Sequence, residues 1–281
     1  MRLGLMSFVI ATLMATNAGA ETLLERGAYL VNGIVACGNC HTPQTPAGPQ
    51  KGMEFAGMFL AEDPAFTAFA PNITPDRETG IGTWSKAELI RAIRDGIRPD
   101  GTLIGPPMPF GMYRFLSDRD AEAIATYVMQ VPAISNTVPK SEYRIPLPPA
   151  YGPPVADVPE VRPENVRDYG AYLAGPLGHC LECHTPMEKG RFDFTRTGAG
   201  GVQFEGPWGV SVASNITPHP EDGIADLSDT GLATVIRTGT RPDGTRLLPP
   251  MGVHYYANIN DQDMAALITY LRSLKPVASG D

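Results

Sequence analysis

The chain has 281 residues and a formal net charge of −8, with 30 glycines and 28 prolines. The length favours two domains, and the glycine and proline content is typical of a protein rich in irregular connections. The negative charge argues against nucleic acid and anionic membrane surfaces as partners and favours a basic docking patch on another protein.

The N-terminal segment has the pattern of a secretion signal. Arg2 supplies a positive charge, Leu3 to Met14 are nearly all apolar, and Ala18-Gly19-Ala20 forms a small-x-small cleavage site. We therefore predict a signal peptide over residues 1–20, cleavage before Glu21, and a soluble protein in the periplasm. The alternative is an uncleaved anchor, because the apolar stretch is close to the lower limit for a membrane span.

Helical periodicity occurs at three places in the first half of the chain. One helix is expected from Leu23 to about Val35. A second begins at the capping box Ser85-Lys-Ala-Glu88 and ends at Gly96. A third begins at Ser117 and buries one face, made of Ala121, Ile124, Ala125 and Val128. No convincing alternation indicates a sheet, so we expect an all-α fold.

The first half is repeated in the second half with a constant offset of 143 residues. Gly27-Ala-Tyr29-Leu30 recurs as Gly170-Ala-Tyr172-Leu173, and Asn72-Ile-Thr-Pro75 recurs as Asn215-Ile-Thr-Pro218. The helical patterns recur as well, with the last helix starting at Asn260. This duplication predicts two domains of one fold, over residues 21–138 and 164–281.

Residues 139–163 connect the two copies and contain eight prolines. A segment with few backbone donors and many fixed φ angles favours extended geometry, so we predict a semi-rigid strap. We expect the strap to lie along the surface, because it offers apolar groups at Tyr143, Ile145, Leu147 and Tyr151. The alternative is a disordered linker.

Each copy contains the pattern C-x-x-C-H, as Cys37-Gly-Asn-Cys40-His41 and Cys180-Leu-Glu-Cys183-His184. Two thiols at this spacing can add to two vinyl groups on one edge of a porphyrin, and the next residue then places an imidazole at the iron. The alternatives are a zinc knuckle, a thioredoxin-like pair and disulfides. A zinc site requires four ligands in one place, and a redox pair does not require the His twice. The sequence therefore predicts two covalently bound haem c groups.

A second iron ligand is predicted from a Pro-Pro-Met run that occurs at the same distance after the His in each copy. The candidates are Met108, opposite His41, and Met251, opposite His184. A thioether is a soft ligand that suits haem iron. Core packing is the commoner role of a lone methionine, but only these two methionines occur in both copies.

Other repeated residues have weaker interpretations. Arg98 and Arg241 are either partners of haem propionates or solvated surface residues, and Asn72 and Asn215 either cap a turn or touch a propionate. A packing role is expected where the first and last helices cross, at Gly27 with Tyr127 and Gly170 with Tyr270.

Taken together, each copy resembles a class I cytochrome c domain, which implies two tandem all-α domains joined by the Pro-rich linker. The run from Asn72 to Trp84, with Arg91-Ala-Ile-Arg-Asp-Gly96 and Pro107-Met108-Pro-Phe110, is similar to the cytochrome subunits of membrane-bound gluconate and alcohol dehydrogenases. Those subunits usually carry three haems and a C-terminal membrane anchor. For this chain we expect two haems and no membrane span after signal cleavage.

The resemblance implies an electron carrier rather than an enzyme. Its donor would be a periplasmic dehydrogenase, and its acceptor another cytochrome or a terminal oxidase. The alternative is a dihaem redox enzyme, peroxidase-like or thiosulfate-oxidising. A peroxidase requires an iron with an open face, and the thiosulfate-oxidising enzymes of this architecture use a Cys ligand, whereas the two motifs already occupy all four cysteines. A purely structural pair of domains is disfavoured by two covalent haems.

Overall fold

The computed structural model describes residues 20–188 and 190–279, so all of the predicted signal peptide except Ala20 lies outside the described residues. The first repeat comprises α1 (Leu23–Asn32), α2 (Cys37–His41), β1 (Gln44–Thr45), β2 (Gly48–Pro49), β3 (Met58–Glu62), β4 (Phe66–Ala70), α3 (Lys86–Asp95), α4 (Phe110–Tyr113) and α5 (Asp118–Val128). The strap contributes β5 (Glu142–Tyr143).

The second repeat follows the same order. It comprises α6 (Val166–Tyr172), a π-helical turn (Leu173–Leu177), α7 (Cys180–Cys183), β6 (Met187–Glu188), β7 (Arg191–Phe192), a three-ten turn (Phe194–Arg196), β8 (Gln203–Gly206), β9 (Gly209–Val212), α8 (Asp229–Thr238), α9 (Val253–Tyr256) and α10 (Asp261–Arg272). Within the described residues, no helix is both long and apolar enough to cross a membrane.

The prediction of an all-α fold is wrong. Helix accounts for only 33% and strand for 12% of the structure, so the fold is mixed. β3 and β4 form an antiparallel hairpin, and β5 extends it to three strands by pairing Tyr143 with Phe66. β8 and β9 form the corresponding hairpin of the second repeat. The sequence pattern missed these strands because they are short and their faces are not sorted into buried and exposed.

Side-chain caps begin the helices where the sequence predicted them. The amide of Glu88 donates to the Ser85 hydroxyl at 3.3 Å, and the amide of Ser85 donates to the Glu88 carboxylate at 2.7 Å, which is a reciprocal capping box. Gly96 ends α3 in the left-handed region, with a φ of 67°. Ser117 and Asn260 cap α5 and α10 by accepting a backbone amide in the first turn.

The first and last helices of each repeat cross at a glycine. A Cβ atom on Gly27 would lie 2.0 Å from the carbonyl oxygen of Ala123, and one on Gly170 would lie 2.1 Å from that of Ala266. Only a glycine allows two helix backbones to approach so closely. The predicted packing role of these glycines at the helix crossing is confirmed, and the same added atoms would overlap the Cβ atoms, rather than the rings, of Tyr127 and Tyr270.

The strap packs on the first repeat through its tyrosines. Tyr143 donates from its hydroxyl to the carbonyl of Pro106 at 3.0 Å. The ring of Tyr151 stacks on Phe110, with 3.7 Å between the ring centroids. Ile145, by contrast, is 44% exposed. The strap therefore braces the loop that leads into α4 rather than burying all its apolar groups.

Replacing Gly27 with Ala is expected to lower the free energy of unfolding by about 1 to 3 kcal/mol, because the added methyl group forces α1 away from α5. Gly111→Ala is the matched control, since a Cβ atom there meets nothing within 4 Å. Denaturant unfolding of the two variants measures the difference. Equal stability of both variants would show that the crossing tolerates a wider separation.

Candidate functional site

The first cysteine motif forms α2, which begins shortly after α1 ends. Ala36 adopts the left-handed conformation, with a φ of 50°, and turns the chain so that α2 begins at Cys37. The amide of Thr42 donates to the carbonyl of Gly38 at 3.0 Å and closes the turn. One turn of helix thus carries both thiols and the imidazole of His41.

His41 is buried and has a defined tautomer. Its Nδ1 atom lies 2.8 Å from the carbonyl oxygen of Pro71. A carbonyl oxygen only accepts, so Nδ1 carries the proton and Nε2 keeps its lone pair. Burial lowers the pKa of His41, which outweighs the opposite effect of the Pro71 carbonyl. The ring therefore stays neutral and offers Nε2 as a metal ligand.

The second motif repeats this geometry. His179 takes the left-handed conformation in the place of Ala36, with a φ of 40°, and the amide of His184 donates to the carbonyl of Cys180 at 2.9 Å. The Nδ1 atom of His184 lies 2.6 Å from the carbonyl oxygen of Ser214. Burial lowers the pKa of His184 as well. Both histidines are therefore neutral and oriented in the same way.

The four cysteines are free of disulfide bonds. Burial raises the pKa of the Cys37 and Cys183 thiols to about 12, and that of Cys40 and Cys180 to about 11. The sulfurs are therefore neutral S–H groups at pH 7 in the chain without a cofactor. In the part of the chain that the structure describes, no three His, Cys, Asp or Glu side chains are grouped to hold a metal ion.

The predicted methionine ligands lie on equivalent loops. Met108 follows a cis peptide bond between Pro106 and Pro107, and Met251 follows one between Pro249 and Pro250. Both side chains are half-buried and pack against the apolar core. The short helices α4 and α9 separate these loops from the last helices, and the sequence did not predict them. The role of Met108 and Met251 as iron ligands stays a prediction.

The repeated asparagines hold a turn. The Oδ1 atom of Asn72 accepts from the amide and the hydroxyl of Thr74, at 2.9 and 2.8 Å, and its Nδ2 donates to the carbonyl of Ile134 at 2.7 Å. Asn215 makes the equivalent bonds in the second repeat. Of the two interpretations of these asparagines, the turn is therefore the one that the bonds support.

The repeated arginines differ in their surroundings. Arg98 donates from Nη1 to the carbonyl of Leu103, within its own turn, at 2.6 Å. Arg241 donates from Nη2 to the hydroxyl of Ser214 at 3.1 Å. Since the carbonyl of Ser214 holds His184, Arg241 places a positive charge close to the second site. Arg241 is therefore a stronger candidate for a propionate partner than Arg98.

Each motif lies against the other repeat. Asn39, inside the first motif, donates from Nδ2 to the carbonyl of Pro250 at 2.7 Å, next to Met251. His179, just before the second motif, packs edge-on against the ring of Tyr113, with 5.9 Å between the centroids. Each motif therefore touches the other repeat.

Sequence patterns missed the backbone carbonyls that orient the histidines. Every residue has a backbone carbonyl, so no sequence motif identifies the one that accepts from a histidine. The available signal was the repeated run Asn-Ile-Thr-Pro, because Pro71 directly precedes Asn72 and Ser214 directly precedes Asn215. The donor set of two thiols and one neutral imidazole on a single helical turn, present twice, fits haem c.

Comparison with known proteins agrees with this donor set. Residues 22–128, which span α1 to α5, match the family described as cytochrome c oxidase, cbb3-type, subunit III. The matched region contains the first motif and Met108. It also ends with α5, which closes the first repeat.

Individual relatives match nearly the whole chain. Over 89% of the chain, 31% of residues are identical to the fructose dehydrogenase cytochrome subunit of Gluconobacter japonicus, of which the chain covers 52%. Over 97% of the chain, 30% are identical to the gluconate 2-dehydrogenase cytochrome c subunit of Pantoea cypripedii, of which it covers 63%. Over 86%, 29% are identical to a protein of Cereibacter sphaeroides named diheme cytochrome c-type, of which it covers 82%.

The chain is similar to cytochromes c. The more specific resemblance to the cytochrome c subunits of gluconate and alcohol dehydrogenases is confirmed. This similarity implies covalently bound haem c. The chain spans about half of the fructose dehydrogenase relative and about three fifths of the gluconate dehydrogenase relative, so it corresponds to only part of each.

Replacing Met108 or Met251 with His is expected to lower the midpoint potential of the haem in that repeat, because a thioether favours reduced iron more than an imidazole does. Potentiometry of each variant measures the change. Met112→Leu is the control, since Met112 lies on α4 only a few residues away and should leave the potential unchanged. Loss of a thioether-to-iron absorption band in Met112→Leu would show that the assignment of Met108 is wrong.

Proposed function

We propose that the chain is an exported dihaem cytochrome c of the periplasm, which takes electrons from a dehydrogenase and delivers them to a downstream respiratory acceptor. The acceptor would be another cytochrome or a terminal oxidase. The observation that carries the proposal is the duplicated site, in which each motif presents a neutral, oriented histidine. Haem c, when bound at such a site, supplies an iron that takes up and releases one electron.

The protein's residues keep each site ready for repeated electron uptake and release. The Pro71 and Ser214 carbonyls hold the histidine rings by their Nδ1 protons, so the rings do not turn when the iron changes charge. The prolines before Met108 and Met251 restrict the loops that carry the thioethers. His41 with Met108, and His184 with Met251, would hold the iron of each haem, and an iron held in this way would leave no position for a substrate.

The contact between the repeats would provide a route for the electron from one haem to the other. Asn39 bonds the loop of Met251, and His179 contacts Tyr113, so both motifs lie at the same contact. A donor can therefore dock on one repeat while an acceptor docks on the other. The net negative charge of the chain would steer basic surfaces of both partners towards it.

The names of relatives support a dehydrogenase as donor. One relative is named as the cytochrome c subunit of gluconate 2-dehydrogenase, and another as the cytochrome subunit of fructose dehydrogenase. Each name describes a cytochrome that belongs to a dehydrogenase. We extend this arrangement to the present chain without assigning the substrate of its donor.

Carbon monoxide added to the fully reduced protein, and peroxide added to the half-reduced protein, should neither bind rapidly nor turn over. Both irons are expected to be closed by His and Met, which leaves no coordination position open. Absorption spectroscopy detects either reaction. Rapid binding at one haem, or peroxide consumption, would move the assignment to the dihaem redox enzymes.

The haem content of the same preparation must be measured first, by intact mass of the exported protein. The expected mass is that of a chain that begins at Glu21 and carries two haems. A chain with one haem would contradict the proposal, because electron passage between the two motifs requires both sites to be loaded.

A further inference from the structure

Two hydrogen bonds between the repeats are reciprocal. Tyr29, on α1 of the first repeat, donates from its hydroxyl to the carboxylate of Asp263 on α10, at 2.7 Å. Tyr172, on α6 of the second repeat, donates to the carboxylate of Asp120 on α5, at 2.8 Å. The offset of 143 residues converts one pair into the other, so the repeats contact each other with local twofold symmetry.

Each tyrosine also receives a bond from the start of the last helix in the other repeat. The amide of Asn260 donates to the Tyr29 hydroxyl at 3.2 Å, and the amide of Ser117 donates to the Tyr172 hydroxyl at 3.0 Å. Asn260 and Ser117 are the caps of α10 and α5. Each tyrosine hydroxyl therefore links the first helix of its own repeat to the N-terminus of the last helix of the other repeat.

The contact buries these polar groups. Asp120 is 3% exposed and Asp263 is 4% exposed. Burial raises the pKa of Tyr29 and of Tyr172, and the facing carboxylates raise it further, so both hydroxyls stay protonated and donate. A buried carboxylate that loses its hydrogen-bond donor is strongly destabilising. Contact between the repeats is therefore favoured, because it gives a partner to both tyrosine hydroxyls and both carboxylates.

The two halves of the contact are not equal. Arg26 donates from Nε and Nη2 to the carboxylate of Asp120, at 2.8 and 3.2 Å. The residue at the equivalent place in the second repeat is Tyr169, which carries no positive charge. Among the described residues, no cation pairs with Asp263. Asp263 therefore relies on neutral hydroxyl groups, those of Tyr29 and the nearby Tyr169, whereas Asp120 keeps its ion pair with Arg26 when the Tyr172 hydroxyl is lost.

We propose that Tyr29 and Tyr172, with their carboxylate partners, are positioning residues that hold each haem-binding motif against the other repeat and thereby set the rate at which electrons pass between the haems. This inference rests on the proposed function. Tyr29 and Tyr172 lie on the helices that lead into the first and second motifs, respectively. Opening the contact at these tyrosines would separate the motifs.

The test compares Tyr29→Phe, Tyr172→Phe and the double variant with the parent protein. Opening of the contact is measured by hydrogen exchange at a backbone amide whose acceptor the substitution leaves in place. In Tyr29→Phe this is the amide of Ser117, which donates to Tyr172, and in Tyr172→Phe it is the amide of Asn260, which donates to Tyr29. Amide hydrogen exchange should be faster by about tenfold in Tyr29→Phe, because one well-made buried hydrogen bond is lost. The increase should be smaller in Tyr172→Phe. Electron exchange between the haems, from NMR line widths of the half-reduced protein, should slow most in the double variant.

Tyr127→Phe is the matched control. Its hydroxyl accepts a bond from Asn32 at 2.8 Å inside the first repeat, so the variant loses a half-buried hydroxyl but no hydrogen bond between the repeats. Asp263→Asn should behave nearly as the parent, since an amide oxygen still accepts from Tyr29.

Unaltered amide exchange in both single variants, or unaltered electron exchange in the double variant, would overturn the inference, and so would equal effects of Tyr29→Phe and Tyr127→Phe. A parent chain with two haems and unaltered variants would leave the proposed function intact and remove this inference alone. A parent chain with one haem would remove both.

Discussion

The site in each repeat depends on one hydrogen bond, from the Nδ1 atom of a histidine to a backbone carbonyl 30 residues further along the chain. The bond fixes the tautomer, and the motif's helical turn fixes where the free nitrogen lies relative to the two thiols. The carbonyl is positioned in turn by the Asn72 or Asn215 turn that directly follows it. Much of each repeat therefore serves to place one oxygen atom opposite one imidazole.

Duplication gives this arrangement twice and lets the copies face each other. Because the contact has local twofold symmetry, a polar pair that arose once is present twice, as Tyr29 with Asp263 and Tyr172 with Asp120. The copies have since diverged at single positions, such as Arg26 and Tyr169. The strap adds a further difference. In the part of the chain that the structure describes, β5 pairs with the edge of the first hairpin, and the second hairpin has no third strand. Such differences are the means by which two similar sites can acquire different properties and partners.

Much of this architecture could be predicted from the sequence. The repeat, the motifs, the capping box at Ser85 and the glycine crossings all depend on side-chain types at fixed spacing. The hairpins could not be predicted, because strands of two to five residues carry too little pattern. The carbonyls of Pro71 and Ser214 carry no side-chain signal. Asp120 has the pattern of an ordinary first-turn acid in its helix, and only the contact between the repeats shows its bond to Tyr172.

Both repeats are expected to bind haem iron in the same way, between a histidine and a methionine. Proton NMR of the fully reduced protein tests this expectation most directly, because a methionine methyl group held over a haem is shifted far upfield by the ring current. Two such methyl resonances of equal intensity are predicted, one from each repeat. A single resonance, or none, in a protein that carries two covalent haems would contradict the shared ligation.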